Sequence, residues 1–389
     1  MMFYDWKEIE KYCKKRNVFP KGMWNPFHID FTNNGICMLL SERSVGKTTA
    51  MLIIGIALNQ MYGVRTHYIR EKTSHLSQSI VKDLFSTINN LGYVERLTNG
   101  NYNMVIYKRN EYRWYYANVD EDGTILEISN ECFMFGMSME KSANYKSGYQ
   151  CDVSDWIIVD EFMQLGYQSN YFIELNDIFS TLIRFRKTAN IIYLTNTVDK
   201  NHFMFDEYAI TKEVESLTSG SHAVINSPLG SSIYIEWIVD KVVTKKKVDV
   251  NKRFFGFNNP KLNAIRGGNE WISKIYPHIK IEKSDKTLFN KIYIESNGAL
   301  LNITILERDN FGIFAYVRKA TRYYDDSYIY TRKQILDYRF HWNCGNNNNL
   351  DKFIFKTLRN QNMIFFATNN DGLVFENYVT AVKKDYYNI

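Results

Sequence analysis

The segment Ser41-Glu42-Arg43-Ser44-Val45-Gly46-Lys47-Thr48 contains the residue types that bind a polyphosphate. In a loop of the form G-x-x-x-x-G-K-[ST], backbone N–H groups surround the phosphates, the lysine contacts the β- and γ-phosphates, and the hydroxyl binds Mg²⁺. Lys47 and Thr48 supply the last two groups, whereas Ser41 replaces the first glycine of the pattern. Together with Thr49, the segment predicts a site for ATP and Mg²⁺. A chance Gly-Lys-Thr at the start of an ordinary helix is the alternative.

A second pair suited to chemistry, Asp160 and Glu161, ends the short apolar run Trp156-Ile157-Ile158-Val159. Such a run is typical of a central parallel strand that is buried on both faces. Open α/β sheets bind ligands at the carboxyl ends of their strands. We therefore expect Asp160 to hold Mg²⁺ and Glu161 to polarise the water that attacks the γ-phosphate. A core strand whose last two residues simply reach solvent is the alternative.

The elements that would position these groups alternate between strand and helix. An apolar stretch precedes Ser41 and a long apolar helix follows Lys47, so the phosphate loop joins a strand to a helix. Further strands are predicted from Thr66 to Arg70 and from Asn190 to Leu194, and a helix is predicted from Tyr171 to Phe185. This alternation indicates an α/β domain with a mostly parallel sheet.

The composition is that of a folded chain with a basic excess. A length of 389 residues with 45% hydrophobic and 15% aromatic residues excludes disorder and predicts two or three domains. The net charge of +6 fits a polyanionic partner. The five cysteines lack C-x-x-C spacing, which favours reduced thiols in the cytoplasm and no zinc site. Without a signal peptide or a long apolar run, the sequence predicts a soluble protein with no membrane contact.

Composition also suggests where the domains divide. The chain becomes small and polar from Ser216 to Ser221, which is typical of a domain edge. We predict an ATP-binding domain over residues 1–207, a linker subdomain over 208–283 and a strand-rich domain over 284–389. Within the linker subdomain, Ile233 to Val243 is predicted to be a helix.

These motifs resemble the ATPase domains of viral DNA-packaging motors. The resemblance depends on Arg43 inside the phosphate loop, on the run from Ile157 to Phe162, and on Leu194-Thr195-Asn196-Thr197 after the next strand. It points to the packaging ATPases of small short-tailed bacteriophages, which are relatives of the large terminase subunit. It covers about residues 15–205. It implies an ASCE-type P-loop NTPase domain, followed after the linker by an RNase H-like α/β domain that is vestigial as a nuclease.

The same resemblance implies roles within one subunit. The strand that ends at Asn196 would lie between the phosphate-loop strand and the Asp160 strand, so that Asn196 lies near the γ-phosphate. Arg43 would also contact the γ-phosphate. Trp24 and Phe27 could stack on adenine. A turn residue, a solvent-exposed cation and two core aromatics are the respective alternatives.

Roles between subunits are implied as well. Arg184 or Arg186, with Arg184 preferred, would enter a neighbouring subunit's site and stabilise charge in the transition state. Lys146 would be a second trans-acting cation. The resemblance implies a ring, expected to be a homopentamer, that docks on the capsid portal. The residues do not decide the subunit number or whether a structural RNA takes part.

Two features bear on DNA. The segment from Tyr107 to Tyr116 interleaves cations with aromatic residues, a pattern that can contact a phosphate backbone. Composition alone favours the alternative, an exposed hairpin that is charged for solubility. The candidates for lining a DNA channel are Lys72, Lys82, Lys108 and Arg109.

Nuclease activity is not expected. Two-metal hydrolysis needs several converging carboxylates, and only Glu295 ends an apolar strand in the second half of the chain.

Two classes of function therefore remain open. The first is an ATP-driven translocase that packages double-stranded DNA into a capsid in the bacterial host cytoplasm. The second is a helicase-like or nucleotide-switch protein that pumps no DNA. A small-molecule phosphotransferase is a third, disfavoured class, because Glu161 is suited to activating water.

Overall fold

The computed structural model describes residues 4–20, 23–41, 45–81, 83–148, 156–163, 171–183, 189–196, 202–218, 220–239, 276–296, 299–331, 340–341, 350 and 352–387. The chain forms two compact units. The first comprises residues 1–163, 170–198 and 217–269, and the second comprises 164–169, 199–216 and 270–389. The domain boundaries expected from composition remain a prediction.

The first unit contains a sheet of ten strands among the residues described. In chain order they are β1 (Ile36–Ser41), β2 (Thr66–Arg70), β3 (Met104–Lys108), β4 (Arg113–Val119), β5 (Ile125–Ile128), β6 (Met134–Ser138), β7 (Trp156–Asp160), β8 (Asn190–Thr195), β9 (His222–Asn226) and β10 (Ser232–Ile238). The spatial order is β3-β4-β6-β2-β7-β8-β1-β10-β9, and β5 pairs with β4. In this spatial order, the six consecutive strands β6, β2, β7, β8, β1 and β10 are parallel to one another, which confirms the predicted α/β class.

Helices accompany this sheet, and the long apolar helix is central to it. They are α1 (Trp6–Lys15), α2 (Lys47–Tyr62), α3 (Gln78–Val81), α4 (Ser86–Asn90), α5 (Tyr93–Leu97), α6 (Ser142–Gly148) and α7 (Tyr171–Leu182). Every residue of α2 from Ala50 to Leu58 is buried, because a helix that is apolar on all faces must lie inside the core. It ends at Gly63, whose left-handed φ of 68° closes the last turn.

The second unit contains the predicted strand-rich sheet. Its elements are α8 (Phe203–Glu207), α9 (Thr211–Ser216), β11 (Lys286–Ser296), β12 (Ala299–Arg308), β13 (Gly312–Lys319), β14 (Tyr328–Thr331), β15 (Phe340–His341), a π-helix (Lys352–Leu358), β16 (Ile364–Phe366) and α10 (Asn369–Tyr387). The strand order is β15-β14-β11-β12-β13-β16. Strands β11, β12 and β13 form an antiparallel meander, and the outer strands are parallel to their neighbours. Phe375 and Tyr378 of α10 pack in the same core as Ile292 and Ile303 of the sheet.

One predicted element is wrong. The segment from Ile233 to Val243 was expected to be a helix of the linker subdomain, yet Ser232–Ile238 forms strand β10 of the first sheet. Its residues pair in parallel with β1, so that Ile233 lies opposite Ile36 and Ile238 lies opposite Ser41. Pairing with a strand so distant along the chain outweighs the local apolar spacing.

Among the described residues, no helix has the length and hydropathy needed to cross a membrane.

Candidate nucleotide-binding site

The carboxyl ends of β1, β7 and β8 lie side by side at one edge of the first sheet. Leu40 of β1 is opposite Thr195 of β8, and Asp160 of β7 is opposite Leu194 of β8. Residues that follow these positions therefore emerge at the same edge. Strand β8 lies between the other two, which confirms the predicted position of the strand that ends before Asn196.

Gly46 allows the chain to enter α2 directly after the loop. Its φ of 85° lies in the left-handed region that favours glycine. Its carbonyl accepts the N–H of Ala50 at 2.8 Å, so the helix begins at Lys47. The unpaired N–H groups of a first helical turn and the helix dipole make this end electropositive, which suits a phosphate. Thr48 and Thr49 belong to this first turn.

Lys47 and Asn196 meet at this edge. Lys47 is only 4% exposed, and its Nζ donates a hydrogen bond to Oδ1 of Asn196. A buried ammonium needs polar partners. The contact therefore brings together two residues that the sequence assigns to the same phosphate.

Asp160 is held from the neighbouring strand β2. Its Oδ2 accepts the Tyr68 hydroxyl at 2.6 Å and lies 3.3 Å from Nη1 of Arg70. Its Oδ1 accepts the backbone N–H of Glu161 at 3.1 Å. The carboxylate is therefore fixed in position at the carboxyl end of β7.

Glu161 has an unusual backbone. Its φ is 56°, a left-handed conformation that is uncommon for any residue but glycine and is often found at functional sites. Its side chain is 48% exposed, and Oε2 lies 2.5 Å from Nη2 of Arg70. One guanidinium thus binds both acidic residues.

Burial and charge act together on this group of residues. Burial and the neighbouring Asp160 raise the pKa of Tyr68 well above its usual range, so its hydroxyl remains a donor. Burial alone would lower the pKa of Arg70, but Tyr68, Asp160 and Glu161 raise it above its usual value. Arg70 therefore stays charged and holds the two carboxylates in place.

The residues present fit a magnesium ion. Thr48 offers a hydroxyl and Asp160 a carboxylate, which are the hard oxygen ligands that Mg²⁺ takes. Oδ1 of Asp160 retains acceptor capacity beside the N–H of Glu161, because a carboxylate oxygen has two lone pairs. Among the described residues there is no group of three His, Cys, Asp or Glu side chains that could hold a metal. Two protein ligands are sufficient where phosphates and waters complete the shell, as is usual for Mg²⁺.

Comparisons with known proteins bear on the fold. No family model and no curated protein matches the sequence. The Phi-28 gp11 DNA packaging motor superposes on the chain with a TM-score of 0.53 at 15% identity, covering 93% of this chain and 98% of that one. The bacteriophage Phi-29 viral genome packaging motor assembly gives a TM-score of 0.52 at 15% identity, with 94% and 98% covered. This chain has the fold of phage DNA-packaging motors. At this identity the likeness concerns the fold, and the chemistry depends on the site residues.

Several expected site residues of this packaging-motor fold lie outside the described residues. They are Glu42, Arg43 and Ser44 of the loop, both candidates for the trans-acting arginine, Arg184 and Arg186, and the DNA-channel candidate Lys82. Lys146 belongs to α6, and its side chain lies outside the described part of the structure. Ser41 is the buried last residue of β1 and Val45 is buried just before Gly46.

The two candidate adenine-stacking residues have packing partners within the protein. The indole N–H of Trp24 lies 3.4 Å from Oε1 of Glu236. The ring of Phe27 packs edge-on against Phe19 at 5.2 Å. Adenine stacking by Trp24 or Phe27 therefore stays a prediction.

Sequence reasoning missed Arg70 and Tyr68. Both lie in a five-residue strand in which every residue is buried. A buried arginine needs an ionised or strongly polar partner. The signal available in the sequence was therefore an arginine at the end of the strand that follows the α2 helix.

Proposed function

We propose that the chain is an ATP-driven motor that translocates double-stranded DNA and packages a viral genome into a preformed capsid. The observation that supports this most directly is the contact between Lys47 and Asn196 at the edge where β7 ends with Asp160 and is followed by Glu161. A fold shared with phage packaging motors over 93% of the chain agrees with it.

In the proposed reaction each side chain has one task. The first turn of α2 and Lys47 bind the phosphates, and Asn196 contacts the γ-phosphate beside Lys47. Thr48 and Asp160 would hold Mg²⁺, which would supply positive charge to offset the charge that develops on the phosphates. Glu161 orients the attacking water. Arg70 fixes the direction in which both carboxylates point.

The proposed motor is a ring, in which Arg184 and Lys146 act on the site of the neighbouring subunit. A homopentamer on the capsid portal in the host cytoplasm is the assembly we propose. Its contacts are the portal, duplex DNA and, if the assembly requires one, a structural RNA. The C-terminal domain is proposed to lack nuclease activity because Glu295 lies opposite Leu300 and Thr331, neither of which is acidic. Metal-dependent cutting of plasmid DNA by the purified chain would contradict that assignment.

The function is tested by measuring ATP hydrolysis with and without long duplex DNA. We expect DNA to stimulate hydrolysis, and we expect Glu161→Gln to lower kcat about 100-fold or more because water loses its orienting group. Lys11→Ala, an exposed change on α1, is the control and leaves the rate unchanged. A rate of ATP hydrolysis that duplex DNA does not change would favour the nucleotide-switch alternative. If the protein does not hydrolyse ATP, both the motor and the nucleotide switch are refuted.

A further inference from the structure

Cations from three segments of the first unit meet at the edge that carries the nucleotide site. Lys72 follows β2, Lys141 follows β6, Lys108 ends β3, and Arg109 begins the turn between β3 and β4. Strand β6 is parallel to β2, and β4 is antiparallel to β6, with Trp114 opposite Met134 and Arg113 opposite Phe135. The N–H of Gly136 donates to the Tyr112 carbonyl at 2.6 Å, so the residues before Arg113 run toward the carboxyl end of β6. The β3–β4 turn therefore lies at the carboxyl edge, and Lys72 and Arg109 are exposed there.

Aromatic rings support these cations. Nζ of Lys108 lies 4.4 Å from the centre of the Tyr115 ring, and Nζ of Lys141 lies 5.0 Å from that of Tyr112. A cation held over a ring loses less freedom when it binds a further partner. The surface is therefore ordered before any ligand arrives.

The β3–β4 turn brings like charges together and has a strained backbone, so this arrangement costs free energy. Lys108 and Arg113 lie directly opposite each other in the β3–β4 ladder, and like charges in that position repel. Tyr112 has a φ of 54°, which is strained for a bulky residue. Glu111 offsets part of the charge, since it accepts the Tyr115 hydroxyl and lies 3.7 Å from Arg113. A polyanion placed on the turn would relieve the remaining repulsion.

The opposite end of β4 has the reverse charge. There the turn before β5 contains Asp120, Glu121 and Asp122, all exposed. A single strand thus separates a basic turn at the nucleotide edge from an acidic turn at the other edge. A polyanion is attracted to the first and repelled by the second.

We propose that the β3–β4 turn, with Lys108, Arg109, Lys72 and Lys141, binds the phosphate backbone of duplex DNA without reading its sequence. This proposal rests on the proposed function and identifies where its DNA contact lies. Lysine and arginine that contact phosphates position a duplex but carry no base information. The surface suits a motor that must accept any sequence.

The test is the salt dependence of binding to a short fluorescent duplex. Plotted against log salt, log K for DNA binding has a negative slope, and each phosphate contact contributes about 0.9 to its magnitude. For Lys108→Ala/Arg109→Ala we expect the magnitude of this slope to decrease by about 1.8. The loss should be the same for duplexes of different sequence. Arg109→Ala alone should decrease the magnitude of the slope by about 0.9. Because this change lies in an exposed turn, it keeps the test valid if the double variant misfolds. Lys7→Ala/Lys15→Ala on α1 removes two exposed cations elsewhere and keeps the wild-type slope.

The possible outcomes separate this proposal from the proposed function. If wild-type protein binds DNA and hydrolyses ATP while both turn variants keep its slope, the surface is wrong and the motor stands. If wild-type protein does not bind duplex DNA at all, the proposed function fails. If the variants bind DNA normally but no longer assemble in sedimentation, the turn contacts a second copy of the chain and the proposal is overturned.

Discussion

Arg70 holds both carboxylates of the candidate site from the adjacent strand. Its side chain is 11% exposed and that of Asp160 is 10% exposed, so their ion pair is well shielded from water. Removing one partner of a buried pair costs about 3–5 kcal/mol. We expect Arg70→Ala to lie near the lower end of that range, because Glu161 is 48% exposed and can turn to solvent. Urea unfolding measures the loss, and kcat should fall with it because Glu161 loses its support.

Arg65→Ala is the matched control for Arg70→Ala. Arg65 immediately precedes β2, but its partner Glu131 is 78% exposed, so the loss should stay below about 1 kcal/mol. Equal stability of the two variants would contradict the role given to Arg70.

His28 connects the segment before β1 to strand β10. Its Nε2 lies 2.9 Å from Oε2 of Glu236, with Trp24, His222 and Tyr234 around it. The hydrogen bond to Glu236 raises the pKa of His28, and partial burial opposes that shift. A raised pKa in the folded state stabilises the fold below the ordinary histidine value and ceases to do so as pH rises through the folded value.

Because the pKa of His28 is raised in the folded state, the effect of His28→Gln on stability depends on pH. We expect the variant to lose stability relative to wild type at about pH 5.5 and to match it at about pH 8.5. The loss should stay below about 1 kcal/mol, because the imidazole is 42% exposed. Urea midpoints of the two proteins at both pH values measure it. A larger loss at the higher pH would mean that the neutral imidazole makes the contact.

At the scale of elements, the strands that can be predicted from the sequence are those whose residues are nearly all buried. Strands β7 and β8 are buried along nearly their whole length, so apolar residues dominate them in the sequence as well. Strand β10 could not be predicted in the same way, because it is defined by its pairing with β1. Arg70 depends on a similar adjacency: its role appears only when β2 lies beside β7.

Helix α2 and strand β2 touch at a point where no side chain fits. A Cβ added at Gly55 would lie 2.6 Å from Oγ1 of Thr66. We expect Gly55→Ala to lower the free energy of unfolding by about 1–3 kcal/mol through overpacking, although alanine favours helix. Adding Thr66→Ala removes the clashing hydroxyl and should restore most of the loss, whereas Thr66→Val leaves a methyl group there and should not. Additive effects of Gly55→Ala and Thr66→Ala would refute the contact.

At the scale of the whole molecule, the proposed ring makes one site depend on two subunits. A Lys47→Ala subunit cannot bind the phosphates, and an Arg184→Ala subunit cannot complete its neighbour's site. Each variant alone should be inactive. In a mixture, a neighbour pair works when the first subunit retains Lys47 and the second retains Arg184.

An equal mixture of the two variants should therefore recover about a quarter of the wild-type ATPase rate, because that share of random neighbour pairs is complete in a head-to-tail ring. DNA-stimulated hydrolysis across a series of mixing ratios measures the recovery, and it should peak at equal amounts. Replacing Arg184→Ala by Arg186→Ala in the same series tells which arginine acts in trans. If neither arginine variant shows recovery while each alone stays inactive, every site is complete within one chain, and a ring with trans-acting arginines is excluded.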